Sequence, residues 1–434
     1  MKILLVTPYV PHRDAGHGTA TIVSQYVRHM ASAGHEVGVV TFTHHEREHA
    51  LVAELRRHCV FVETVPYGLS SMARLWARLK SLATATPLVI PLFSNRAMRE
   101  TLRRVLAAHR FDVVQIDTTQ LGQYRDLVPP GIPTVLLEID VIMKPLRRRW
   151  EHASGLIRRA HYHREWRNMC RYETRLCGRF DLVYTVTDDD RRLLLSQDPA
   201  IRVAVFRVGA DAPLFEIAPR PEGGAVLLFI GAFMHPPNVD GVLWFHRDVL
   251  PRIRAKRPDV SVRLVGGSPP PAVTALGADP RVELCGGVTG PKNGPAGQRR
   301  DVGTYLASAD VCVVPLRLGG GIKMKLIEML AAGCAVVTTS VGAEGIRIRH
   351  GEEALVADEP GAFADAVLSL LDDAALRARL GREARALARR DHDWTRNMSA
   401  VEADLQALVA GGCAAATDLR QPLLLTQPSK GAGR

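Results

Sequence analysis

The strongest constraint in this sequence is a series of short, unbroken Val/Ile/Leu segments, each followed by a loop and a helical pattern, running through both halves. In the first half they are Lys2–Thr7, Val37–Phe42, Val113–Ile116, Thr134–Leu137 and Leu182–Val186. In the second they are Val226–Ile230, Val262–Val265, Val282–Leu284, Val311–Pro315 and Val336–Thr339. Apolar runs that do not alternate mark strands buried on both faces, as in parallel sheets covered by helices. The prolines and the Gly-Gly of Pro213–Gly224 interrupt the pattern and set the boundary. The expected fold is therefore α/β, with two doubly wound Rossmann-like domains facing a central cleft. They span residues 1–212 and 213–395, followed by a helix over 396–410 that can pack back on the first domain and a disordered tail over 411–434. Pro291–Arg300 reads as a mobile polar insertion. Open parallel sheets bind ligands beyond the carboxyl ends of their strands, so the facing crevice is the expected site.

Composition narrows the class further. A chain of 434 residues, 47% hydrophobic and 23% charged, fits a soluble protein of two domains. Its seven cysteines are scattered and form no CxxC, so neither a disulfide framework nor a zinc site is expected, and a cytoplasmic location is. The apolar run at Met1–Val6 is too short for a signal peptide, and no segment approaches the ~20 apolar residues of a membrane span. A formal charge of +11 asks for an anionic partner. Much of it lies between Arg147 and Arg179, together with Trp150, Tyr162, Trp166 and Tyr172. Two readings stay open there: a helix lying on an anionic membrane surface, or a solvated helical hairpin with its aromatics turned inward. Neither reads bases, and no nucleic-acid motif is present.

Several motifs invite chemistry and are better explained without it. Gly16-His17-Gly18 imitates a dinucleotide fingerprint, but the next strand ends in Val40-Thr41-Phe42-Thr43 with no acid for a ribose. What remains is a glycine loop at a helix N-terminus, able to approach an anion or a sugar, or a plain turn. Asp188-Asp189-Asp190 resembles a metal-binding DxD, yet Thr187 before it makes the first turn of a capped helix the better reading. His161 and His163 sit in a basic helix that would repel a cation, and no metal site is expected. Gly-X-Ser-X-Gly is absent, so a hydrolase elbow has no support.

The informative segment runs from Gly319 to Glu328. Gly319, Gly320 and Gly321 let a backbone approach a ligand with its N–H groups, and the helix beginning near Lys323 adds its positive end. Lys323 and Lys325 supply charge for a diphosphate. Glu328, three residues beyond Lys325 on the same face, can accept from a ribose diol. The plain alternative is a glycine-rich turn with a solvated Lys–Glu pair. A second loop, Gly231–Asp240, follows the strand Val226–Ile230. There Asn238 is the expected helix N-cap, while His235 and the Gly231 backbone are expected to line the crevice.

These two loops, in this order, resemble the carboxy-terminal half of a GT-B glycosyltransferase of family 4. The matching stretches are Gly231–Leu250, Ala309–Pro315 and above all Gly319–Gly345, with its K-x-x-E-x-x-A-x-G-x-x-V-V-x-T-x-x-G-x-E-G run. In the first half the Gly16/Gly18 loop, Gly34-His35-Glu36-Val37, Phe180-Asp181, Thr187-x-x-Asp190-Arg191 and Gly209-Ala210-Asp211 are similar as well. The resemblance implies a hexosyltransferase-type enzyme that takes a nucleotide-sugar as substrate, needs no cofactor or metal, and retains anomeric configuration. The diphosphate would lie on Lys323, Lys325 and the Gly319–Gly321 amides, with Glu328 on the ribose. The acceptor, a glycan, a lipid-linked carrier or a small molecule, would bind near Gly16, His17 and Gly18 and the ends of Val113–Ile116 and Thr134–Leu137. Where the family has a histidine followed by an acid, this chain has Leu137-Glu138-Ile139-Asp140-Val141. Ile139 takes the histidine's place, which leaves Glu138 and Asp140 as the candidate catalytic carboxylates. The same substitution admits a second reading, a GT-B protein that binds nucleotide-sugar or a partner without turnover.

Overall fold

The computed structural model describes residues 1–12, 15, 18–46, 48–68, 70–218, 224–286 and 302–411. The expected insertion at Pro291–Arg300, the expected tail beyond 411, and Gly16 and His17 lie outside them. Among the described residues the chain forms two all-parallel sheets. The first contains β1 (Lys2–Thr7), β2 (Glu36–Thr43), β3 (Phe61–Pro66), β4 (Val113–Asp117), β5 (Thr134–Glu138), β6 (Leu182–Thr185) and β7 (Val203–Val205). The second contains β8 (Val226–Ile230), β9 (Ser261–Val265), β10 (Val282–Leu284), β11 (Val311–Val314), β12 (Val336–Thr338) and β13 (Leu355–Val356). The helices that shape the cleft and its surroundings are α1 (Gly18–Ser32), α2 (Ser71–Thr84), α3 (Met143–Glu151), α4 (Leu156–Cys177), α5 (Asp188–Gln197), α6 (Pro236–Trp244), α7 (Met324–Ala331) and α8 (Trp394–Val409).

The strand orders are β3-β2-β1-β4-β5-β6-β7 and β10-β9-β8-β11-β12-β13. In each sheet the order reverses once, between β1 and β4 and between β8 and β11. At such a switch point the loops leave in opposite directions and open a crevice beyond the strand ends. Strands β1, β4, β5 and β6 and strands β8, β11 and β12 are buried along nearly their whole length, as their continuous apolar runs require. The unpredicted strands β3, β7 and β13 are all edge strands.

Helix α8 returns from the second domain and lies against the first. His35 Nε2 contacts Glu402 Oε1 at 2.8 Å, and Tyr184 Oη donates to Asp404 Oδ2 at 3.0 Å. A Cβ at Gly209 would lie 2.6 Å from Trp394 N, so the backbones meet closely where the chain re-enters the first domain. The Arg147–Arg179 segment forms a hairpin in which α3 folds back on α4 and Trp150 stacks on Trp166 with ring centroids 5.0 Å apart, a geometry that fits a solvated face or a membrane-facing one. Helix α5 is capped as expected, with Thr187 Oγ1 accepting from Asp190 N at 3.0 Å and the three acids in the first turn.

Candidate active site

On the second domain, two loops leave the adjacent strands β8 and β11 at their carboxyl ends. The Gly319–Gly321 loop takes a path that favours glycine at two points, with φ 110° at Gly319 and 68° at Gly321. It ends at Lys323, which occupies the N-cap position of α7. The β8 loop runs beside it: the Pro237 ring is 3.5 Å from where a Gly319 Cβ would stand. The peptide groups at the start of α7 thus face the switch point, where an anion is favoured.

The lysines differ from the sequence expectation. Lys323 Nζ donates to the carbonyls of Gly320 at 3.1 Å and Gly321 at 2.6 Å, so it closes its own loop. Lys325 is not a free charge at the helix end. Its Nζ donates to Asn238 Oδ1 at 2.6 Å and stands 4.5 Å from the centroid of the Phe229 ring. Part of the side chain keeps exposed surface, but protein surrounds the ammonium. Burial, reinforced by the neighbouring charge of Lys323, pushes it down to about 7. Asn238 is likewise not the N-cap of α6; His235 holds that position without a side-chain cap. Asn238 donates to Ala232 O at 2.7 Å while accepting from Lys325, so it ties the two loops together. Gly231 makes this possible, because a Cβ there would collide with Lys325 Nζ and the Asn238 amide. Glu328 is half-buried, one turn along α7, and its charge acts on Lys325.

On the first domain, β4 and β5 end at the facing crevice. Thr118, just after β4, adopts φ 71°, a strained conformation for a β-branched residue. Asp117 beside it is wholly buried, accepts from Gln115 Nε2 at 2.9 Å, and is pushed up to about 7 by burial. After β5 the two candidate carboxylates part. Glu138 is wholly buried, accepting from Thr119 N at 3.0 Å and from Thr119 Oγ1 at 2.7 Å, with Glu173 on the other side of that hydroxyl. Burial first, and Glu173 second, hold its carboxyl well above the usual range. A group so enclosed does not meet a substrate, and Glu138 is set aside as a catalytic candidate. Ile139 is 7% exposed and packs into the apolar core. Asp140 reaches the cleft: a Cβ at Gly321 would lie 2.6 Å from its Oδ1. Its carboxylate keeps open surface but stands among protein atoms, so desolvation, then Asp190, raises its pKa against the pull of Lys323 and Lys144.

Side chains that the sequence did not single out connect the two halves. Arg148 on α3 grips Glu344 with both nitrogens, Nη2–Oε1 2.6 Å and Nη1–Oε2 3.1 Å, and donates from Nη1 to Gly319 O at 3.1 Å. Lys144 bridges Glu344 Oε1 at 2.9 Å and Asp190 Oδ1 at 3.3 Å. Burial works against the Glu344 charge, but the bonds from Arg148 and Lys144 outweigh it and keep its carboxyl below the usual range. Arg347 adds a third crossing, to Asp188 Oδ2 at 2.7 Å. The signal for Glu344 lay in its place within the Gly319–Gly345 run; Lys144 and Arg148 sit in a basic helix with no periodic mark.

Two Rossmann-like domains whose switch points confront each other across a cleft define the GT-B architecture. The sequence itself carries the family. Residues 17–209 match the glycosyl transferase 4-like domain, and residues 224–373 match the glycosyl transferases group 1 domain. The chain belongs to family 4 of the GT-B glycosyltransferases. Among solved structures it is similar to sucrose-phosphate synthase from Thermosynechococcus elongatus, with a TM-score of 0.65 and 18% identity over 94% of this chain and 99% of that one. It is also similar to Anabaena HepE in complex with UDP-glucose, with a TM-score of 0.61 and 17% identity over 94% of this chain and 100% of that one. Among curated proteins it is 30% identical over 199 residues to phosphatidyl-myo-inositol mannosyltransferase of Mycobacterium tuberculosis, covering 43% of this chain and 49% of the relative. The chain spans about half the length of the curated relatives it matches.

Proposed function

We propose that this chain is a retaining glycosyltransferase, moving a sugar from a nucleotide-sugar to a glycan, a lipid-linked carrier or a small molecule. The observation that carries the reading is the meeting of Asp140 with the Gly319–Gly321 loop. It brings the one candidate carboxylate that faces the cleft against the loop that would hold the donor. On this reading the diphosphate lies on the Gly319–Gly321 amides, the start of α7 and Lys323, with Lys325 behind them. Glu328 accepts from the ribose. As the bond from the anomeric carbon to the diphosphate breaks, the charge on the departing oxygen meets donors and cations already in place. Those cations, not a divalent metal, balance the diphosphate in this reading. A solved neighbour holding UDP-glucose and a relative named as a mannosyltransferase support a nucleotide-sugar donor. The relative's phosphatidyl-myo-inositol name supports a lipid-linked acceptor. We place the reaction in the cytoplasm, with such an acceptor met at the inner face of an anionic membrane.

The test is nucleotide release from a panel of UDP-, GDP- and ADP-sugars, with and without glycan and lipid-linked acceptors. Acceptor-dependent release of one nucleotide supports the reading. Tight donor binding with no release under any acceptor favours the second reading, a binding protein without turnover. The buried Ile139 and the enclosed Glu138 are the observations behind that alternative.

A further inference from the structure

Helix α2 is amphipathic in the wrong sense for a soluble surface. It buries only Ala77 and Ser81, while Met72, Leu75, Trp76, Leu79 and Leu82 stand 64%, 50%, 67%, 49% and 61% exposed. At 3.6 residues per turn these five share one stripe directly opposite the buried face, and Arg78 and Lys80 fall along its two margins. Isolated apolar surface residues need no explanation; an ordered stripe with a tryptophan at its centre and cations at its edges does. Long basic side chains at such margins cover apolar stems and keep their charges at a polar boundary.

The neighbouring helical hairpin is bound to α2. Arg164 on α4 donates to the carbonyls of Ser81 and Leu82 at 3.3 and 3.2 Å, and Glu165 Oε2 accepts from Leu88 N at 3.1 Å, so α2 and α4 are tied together. At the start of α4, Leu156 and Ile157 are each 88% exposed. Beside them a cavity of about 750 Å³ opens between α3 and α4, lined by Trp150, Arg159, Arg164, Arg167, Asn168 and Arg171, with no carboxylate in its wall. Asn168 is 7% exposed, and its Nδ2 has no partner among the described residues.

We propose that this face docks on an anionic phospholipid bilayer. The α2 stripe with Leu156 and Ile157 enters the acyl boundary, and the arginine-lined cavity receives a phosphate headgroup. The inference takes the membrane contact proposed above as its starting point and assigns it to particular residues. Charge selects the occupant. A purely apolar partner would leave the arginines of the cavity desolvated without counter-charge, whereas an anionic lipid layer offers both phases at once.

The experiment uses the full chain with vesicles of phosphatidylcholine, alone or mixed with phosphatidylglycerol, at low and high salt. Sedimentation with the anionic vesicles at low salt is expected, weakened by salt, together with a blue shift of tryptophan emission that Trp76→Phe removes. Trp76→Glu combined with Leu79→Glu, and separately Arg159→Glu combined with Arg167→Glu, should each weaken vesicle binding about tenfold or more. Their affinity for UDP should stay at the wild-type value, which shows that they fold. Absence of binding to anionic vesicles at low salt would overturn the proposal. So would wild-type binding by both double variants, or a dimer in solution that the α2 variant dissolves. Vesicle binding without sugar transfer would leave this surface standing and remove the transfer reading; transfer without vesicle binding would do the reverse.

Discussion

Arg148 of the first domain holds Glu344 of the second with two parallel bonds, and the same guanidinium reaches the carbonyl of Gly319. One side chain therefore joins domain closure to the shape of the loop that would carry the donor. The geometry is that of a bidentate arginine–carboxylate pair, which adds orientation as well as energy. Arg148 is 43% exposed and Glu344 13%, so solvent screens the attraction and its worth to closure is about 1 kcal/mol.

Replacing Arg148 with Ala should lower kcat/KM for nucleotide release by about fivefold, the equivalent of that energy, with little change in melting temperature. Small-angle scattering with bound UDP should show a more open molecule than the wild type. An unchanged rate and radius would make the pair a surface contact only.

Lys325 gives a pH signature with a definite sign. Its ordinary value is 10.5 and burial brings it to about 7 in the folded chain. Between those values the unfolded chain holds the extra proton, so this residue makes stability rise with pH across that window and level off above it. Lys325→Met should remove that part of the slope in denaturant titrations. A diphosphate placed near it would restore the charge, so UDP binding at pH 8 should take up a proton in the wild type and not in the variant. Calorimetry in buffers of different ionisation enthalpy reads this directly.

The pair Glu138 and Glu173 predicts the opposite slope. Glu173 accepts from Ile142 N at 2.7 Å and Met143 N at 3.0 Å, which anchors the start of α3, and burial first of all pushes it up to about 7. Both carboxyls are raised from an ordinary 4.5, so folding favours their protonated forms. Stability from this pair is fully present below about 4.5 and is lost as pH rises through the raised folded value of each carboxyl, about 7 for Glu173. Glu138→Gln, which mimics the protonated acid, should flatten the loss and leave nucleotide release intact. Glu173→Ala should destabilise by about 1–3 kcal/mol, since two backbone donors lose their acceptor. Loss of turnover in a stable Glu138→Gln protein would return Glu138 to the active site.

Gly231 and Gly321 test close approach in two different ways. Gly231→Ala should cost UDP affinity about tenfold, because the new Cβ displaces Lys325 and Asn238 from each other. Gly321→Ala adds a left-handed backbone penalty of about 1 kcal/mol and crowds Asp140, so its effect should fall on turnover as well as binding. Equal UDP affinity in Gly231→Ala and the wild type would show that the Lys325–Asn238 link plays no part in holding the donor.

The two sheets were legible because their central strands are buried on both faces and so carry unbroken apolar runs. Edge strands β3, β7 and β13 escaped notice because they are short or interrupted; Phe61–Pro66 mixes Glu and Thr into its run, and Leu355–Val356 has only two residues. The loop Gly319–Gly321 was legible because its backbone takes left-handed conformations at Gly319 and Gly321 that favour glycine. What the sequence left hidden is where the ends of long side chains go. Lys325 turns into the domain toward Asn238, Glu138 turns toward Thr119, and Arg148 crosses the cleft to Glu344. None of these directions can be read from spacing along one element, since each is set by a partner far away in the chain.

On the proposed function, Gly319–Glu328 holds the donor nucleotide. Calorimetric titration of UDP and GDP into the wild type, Lys325→Met and Glu328→Ala tests it most directly. Binding of one nucleotide by the wild type is expected, with a loss of about 1–3 kcal/mol in each variant and the fold unchanged by melting temperature. No nucleotide binding by the wild type, or equal affinity in all three proteins, would contradict it.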